Sequence, residues 1–269
     1  MTVAPSDRRR FAALLASAVV LSACALIGEV VSVRYAEGPA HLLLTLAAMD
    51  GTALADGDLS QVASGTRVTS RLVFHFRDGS LHDETTVFSQ DQRFRLLSDR
   101  VIQQGPAFPR PVDMSIDGAT GQVTLRYADE RGRPQVSSEH LDLPADVANG
   151  IVPVLLMNVR PDAPPKTLSL VAATIRPRLV KLVITSARAD SLETGGATRA
   201  ATHYVLHVDI GGLSGLIAPL VGKQPPDVHM WISSGEAPAF LKSEQPLYVG
   251  GPLWRIELAS SSTPRQPGR

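Results

Sequence analysis

The chain has 269 residues, with 26 lysines and arginines against 26 aspartates and glutamates and a formal charge of zero. That balance excludes the basic face that nucleic acid demands, and a single cysteine excludes a disulfide framework, so stability has to come from an ordinary core. At this length the chain can form one large β-domain or two smaller ones.

Arg8-Arg9-Arg10 precede an uncharged apolar run from Phe11 to Ala23. This is the layout of an export signal whose arginines stay on the cytoplasmic side. Leu21-Ser22-Ala23-Cys24 resembles the bacterial lipobox, in which cleavage falls before a cysteine that carries diacylglycerol. The resemblance implies a signal peptide over 1–24, lipidation at Cys24, and an exported, membrane-tethered lipoprotein of the outer membrane facing the periplasm. Two other readings stay open. Ala23-Cys24-Ala25 also fits ordinary small-x-small cleavage, which releases a soluble protein. The uncharged stretch Phe11–Gly28 just reaches the roughly 18 residues of a retained anchor. Loss of 1–24 removes three arginines and one aspartate, leaving 23 basic and 25 acidic residues and a net charge of −2. In every reading the cysteine is an anchor or filler, not a catalyst. The later apolar runs Ile151–Met157 and Leu216–Val221 are too short to span a bilayer.

From about Pro39 apolar residues recur at every second position, the period of a half-buried strand. In Arg67–Arg77, Val68, Ser70, Leu72, Phe74 and Phe76 share one face, and arginines and His75 share the other. Asp78-Gly79 offers a two-residue hairpin turn. The partner strand runs Leu81–Gln90 and another Arg93–Gln104. Beyond the bend Gly105–Pro111, Val112–Asp117 and Gln122–Ala128 form a second hairpin, which Val136–Leu143 continues. Asp146–Asn158 switches to helical spacing at Val147, Ile151, Val154 and Leu155, with Asp146 as cap and Gly150 and Pro153 weakening it. Strands resume at Leu168–Ile175, Arg178–Ala187 and Thr202–Ile210, the last two joined by a polar loop over Arg188–Ala201. Gly211–Gly222 is a glycine-rich apolar connection. Val228–Ser233 and Leu253–Leu258 close the domain, with Trp254, Ile256 and Leu258 on one face. The pattern predicts a mainly β, single domain over 25–259: a curved antiparallel sheet or open β-barrel with one or two short helices as cover. Residues 260–269 read as a disordered tail.

Three stretches, "FHFRDGSLHDETTVFSQ" (Phe74–Gln90), "GKQPPDVHMWI" (Gly222–Ile232) and "APAFLKSEQPLYVGGPLWRIEL" (Ala237–Leu258), resemble an uncharacterised family of exported bacterial proteins. The closing Trp-Ile strand, proline-bearing turn and "RIEL" strand are similar to the end of the LolA/LolB-type lipoprotein carriers. That resemblance implies an open barrel around an apolar cavity that accepts acyl chains. Neither resemblance carries catalytic residues.

The expected function is therefore non-enzymatic: an envelope protein that binds an apolar or lipid-like ligand in its barrel. The expected binding side chains are Leu72, Phe74 and Phe76 of the first hairpin and Leu125 and Tyr127 of the second. Leu182, Ile184, Leu206 and Met230 come from the later strands, and Trp254 and Ile256 from the closing one. Leu216 and Ile217 lie in the Gly211–Gly222 segment, which would serve as a gate because apolar glycine-hinged loops suit lids, or else pack as a core plug that closes the barrel end. No cofactor or metal is expected. One alternative is a structural or assembly factor that docks on an envelope protein partner. Another is a hydrolase using His75, His82 and Glu84, with His75 opposite His82 across the two-residue turn and Asp83 on the Leu81 face. His203 and His207 stand four apart on a strand, about 13 Å from each other, too far to share an ion, and read as solvent-facing.

Overall fold

Alternation from Ala40 onward produces a long antiparallel meander in the computed structural model, which describes residues 30–160, 162, 166–194, 197–210 and 225–259. The strands are β1 (Ala40–Ala48), β2 (Ala53–Ser64), β3 (Arg67–Phe76), β4 (Leu81–Gln90), β5 (Phe94–Gln104), β6 (Val112–Asp117), β7 (Gln122–Ala128) and β8 (Pro134–His140). Helix α1 (Val152–Asn158) follows, then β9 (Thr167–Ala172), β10 (Arg178–Thr194), β11 (Ala197–Asp209), β12 (Val228–Ser233), β13 (Phe240–Gln245) and β14 (Trp254–Leu258). All fourteen belong to one sheet in which each strand pairs with its chain neighbour, except that β1 pairs with β14 and β8 does not pair with β9. The first and last strands thus join two meanders, with Leu46 opposite Ile256.

The sheet curls until its ends meet through side chains. Val171 of β9 shares a buried cluster with Leu96, Met114, Ile116, Val123 and Leu125 of β5–β7, although these strands stand at opposite ends of the strand order. The seam is open in hydrogen bonds, and the free edge of β9 is covered by Asp146–Asn149. Val147 bridges Ser169, the Ala148 amide donates to the Ser169 carbonyl, and the Asn149 side chain pairs with both backbone groups of Val171. Covering an exposed edge removes a template for unwanted pairing. The result is a curved sheet or open barrel of a single domain, as the alternation predicts.

Gly150 then turns the chain inward with φ +67°, a conformation that glycine adopts without strain. Helix α1 starts at Val152 rather than at Asp146, because Asp146 is occupied with Ser169 and because Pro153 suits a first turn where no N–H is needed. Seven residues are too few for an independent helix, so packing holds it. Ile151, Val154, Leu155 and Leu156 are buried with Val68, Phe88 and Phe94 on one wall and Leu168, Leu182, Leu206 and Met230 on the other. The helix lies within the curl instead of covering it. Asn158 closes that end: its side-chain oxygen accepts from the amides of Arg34 and Tyr35, both at 2.7 Å, and its amide donates to the Val154 carbonyl.

One sequence expectation fails in the second meander. Arg188–Ala201 is not a loop: β10 and β11 run on as a paired hairpin as far as Thr194 opposite Ala197. Its outer half is polar on both faces, so the two-residue period that marks a half-buried strand is missing there.

Candidate functional site

The expected binding residues fall into three packed clusters. Leu182, Ile184, Leu206 and Met230 surround α1. Phe74, Phe76, Trp254 and Ile256, with Leu72 at the margin, form an aromatic cluster with Leu44, Leu46 and Phe108. Leu125, with Tyr127 beside it, belongs to the seam. The aromatic cluster is built edge to face: Phe108 meets Phe76 at 5.3 Å and 78°, Tyr248 at 5.7 Å and 72°, and Trp254 at 6.2 Å and 82°. Cys24, Leu216, Ile217, the Gly211–Gly222 gate and the 260–269 tail lie outside the described residues.

Between the α1 cluster and the aromatic cluster the concave face is not fully buried. Register places Leu42, Leu59, Leu72, Glu84 and Val101 side by side across β1–β5, and all five are half-buried while the rows flanking them are largely buried. Four strand spacings of about 4.8 Å give this row a length of roughly 19 Å. Four members are aliphatic and one is a carboxylate.

The carboxylate has polar neighbours on both sides. His82 pairs with Gln103 in the row nearer the aromatic cluster, and Thr86 pairs with Asp99 in the row nearer α1. All four are buried. The Thr86 hydroxyl donates to Asp99 at 2.7 Å. Burial, and then the Glu84 carboxylate, push Asp99 well above the ordinary carboxylate range, against the smaller pull of Thr86. Gly150 completes this wall, since a Cβ there would lie 2.0 Å from Thr86 Oγ1 and 3.0 Å from Asp99 Oδ1. His82 Nε2 stands 3.7 Å from Glu84 Oε2, and its ring is 6.0 Å from Phe74 and 6.5 Å from Phe108.

This arrangement corrects the predicted triad. His75 is exposed and pairs with Leu81, whereas His82 pairs with Phe74 and is buried. The loop has three residues, Arg77–Gly79: the Phe76 amide donates to the Ser80 carbonyl, the Phe76 carbonyl accepts from the Gly79 amide, and Gly79 stands at φ +84°. A three-residue turn ending in a left-handed glycine shifts the register by one from a two-residue turn, and a one-residue slip exchanges the faces. Glu84 therefore points inward with His82, and Asp83 points outward, where Arg71 holds it by two hydrogen bonds of 3.0 and 2.7 Å. That guanidinium keeps the Asp83 carboxyl below its usual range. Among the described residues no group of three histidine, cysteine or acidic side chains could hold a metal ion.

His203 is a second correction. It is buried, only 4% exposed, on the outer face of β11. Its ring stacks on Trp231 at 4.2 Å and 3°, its Nε2 meets His229 Nδ1 at 2.9 Å, and Lys242 caps the other side of Trp231 at 4.3 Å. The Trp231 indole N–H donates to Asp190 at 2.8 Å. Burial, with His229 and Arg188 close by, holds the His203 pKa below its ordinary value. His207 instead meets Asp227 at 2.8 Å. The sequence signal for the His203 array was weak because its members come from four strands.

No family model and no curated protein matches the chain. Among solved structures it is similar to a beta-barrel-like protein of domain of unknown function DUF1849 from Brucella abortus. The identity is 11%, over 87% of this chain and 98% of that chain, with a TM-score of 0.40. None of these findings links the chain to the LolA/LolB-type carriers.

Proposed function

We propose that the protein is a non-enzymatic envelope lipoprotein that binds one apolar or lipid-like chain on the concave face of its open barrel. The observation that carries this reading is the half-buried row Leu42–Leu59–Leu72–Val101, an aliphatic strip that keeps part of its surface exposed although Leu59 and Leu72 pack along the aromatic cluster and Val101 along the seam cluster. Because α1 fills the rest of the curl, the ligand is a single slender chain and the site is a strip, not a hollow barrel. Roughly ten methylenes buried at about 0.8 kcal/mol each reach the ~8 kcal/mol of a micromolar complex before ordering costs. A lipid at Cys24 would tether the α1 end: Val31 packs there, and the seven residue steps from Cys24 to Val31 reach at most about 25 Å.

The full chain, purified without detergent, should bind the uncharged probe N-phenyl-1-naphthylamine saturably, and Leu59→Lys should weaken that binding by roughly tenfold or more. Absence of saturable binding, or binding that Leu59→Lys leaves alone, contradicts the strip. The tight packing around α1 favours one second reading, an assembly factor with no ligand, which predicts that absence.

A further inference from the structure

The polar side chains beside the strip specify what the head of its ligand has to offer, an inference that rests on the strip being the binding site. The amide nitrogen of Gln103 donates to the Leu247 carbonyl at 2.6 Å and meets His82 Nδ1 at 3.1 Å. A carbonyl only accepts, so it is the amide nitrogen that sits between these two partners. His82 Nδ1 then receives the second amide hydrogen and is the unprotonated ring nitrogen, which leaves the imidazole proton on Nε2. That Nε2–H is buried, with the His82 side chain 4% exposed, and it has no hydrogen-bond partner among the described residues. At 3.7 Å from Glu84 Oε2 it is too far to donate directly. An oxygen placed between the two, at about 2.8 Å from each, bridges a gap of that width.

The bridging atom has to accept from His82 and donate to Glu84. A hydroxyl does both. A carboxylate head cannot donate, and it would face Glu84 with Asp99 close behind. An ammonium head cannot accept, and it leaves the buried His82 N–H unpaired. No lysine or arginine makes an ion pair with Glu84 among the described residues, so nothing there recommends an anionic head. We infer that the strip Leu42–Leu59–Leu72–Val101 takes an uncharged amphiphile whose hydroxyl sits between His82 Nε2 and Glu84 Oε2.

The test displaces N-phenyl-1-naphthylamine from the full chain with dodecan-1-ol or with 1-methoxyundecane, an uncharged ether of similar length that accepts but cannot donate. The alcohol should displace the probe at a concentration roughly tenfold lower or more, the effect of one buried hydrogen bond made or missed. Glu84→Leu, read as the ratio of the two competition constants within that variant, should bring alcohol and ether to within about twofold of each other. If the probe does not bind, the strip itself is refuted and this inference falls with it. If the probe binds but alcohol and ether compete alike, the site holds water and not a ligand hydroxyl. An alcohol preference that persists in Glu84→Leu also overturns the assignment.

Discussion

Replacing Asp99 by Asn should change how stability depends on pH. Asp99 is 2% exposed, and burial and Glu84 raise its pKa in the folded state above the value of an unfolded aspartate. The folded protein therefore binds this proton more tightly than the unfolded chain does. The associated stability is fully present below about pH 4, the unfolded value, and is lost as pH rises through the folded one. One such group changes stability by at most about 1.4 kcal/mol per pH unit inside that window. Asparagine keeps an oxygen to accept from Thr86 Oγ1 and cannot ionise, so only the pH dependence is removed. Urea unfolding of both proteins at intervals from pH 4 to 8 should show the wild type losing ground to Asp99→Asn, at up to ~1.4 kcal/mol per unit, as pH rises. A difference between the two that stays constant over the whole range refutes the argument.

Three further outcomes follow from the same packing, and a fourth from the proposed lipid anchor. Gly150→Ala combines a positive φ with contact against Thr86 and should destabilise by about 2–4 kcal/mol in denaturant melts. Leu156→Ala, at a fully buried position of α1, should cost about 2–5 kcal/mol, measured the same way. His203 has a lowered folded pKa, so its contribution is lost as pH falls below about 6.5; His203→Gln should flatten the decline in thermal midpoint between about pH 6.5 and 5. Cys24→Ala should move the protein from the membrane fraction to the soluble fraction on cell fractionation, if the anchor is a lipid.

Most strands of the first meander were legible because β1–β7 each bury residues on one face, so the two-residue period survives in sequences such as Val68–Phe76. β4, β5, β6 and β7 begin and end within a residue of where alternation and turn residues put them. The polar hairpin of β10 and β11 was hidden because only Leu192 and Ala201 of it join a small cluster with Trp231 and Leu241, too few apolar positions to set a two-residue period. The helix was legible by its spacing but not by its start, since Asp146 serves the β9 edge instead of capping. The polar wall of the strip was hardest to foresee. Whether His82 and Glu84 point inward depends on one residue in the Arg77–Gly79 turn, and Asp-Gly occurs in two-residue and three-residue loops alike. Asp99 and Gln103 gave no signal of their own, because only the β4–β5 register brings them beside His82 and Thr86.

The central claim, a ligand on the concave strip, is tested most directly by what the protein carries out of the cell. The full chain, purified in parallel with Leu59→Lys, should be extracted with organic solvent and the extract analysed by mass spectrometry. A hydroxyl-bearing lipid near one equivalent in the wild type, depleted in the variant, is the predicted result. Extracts without lipid, or with the same lipid content in both proteins, would contradict it.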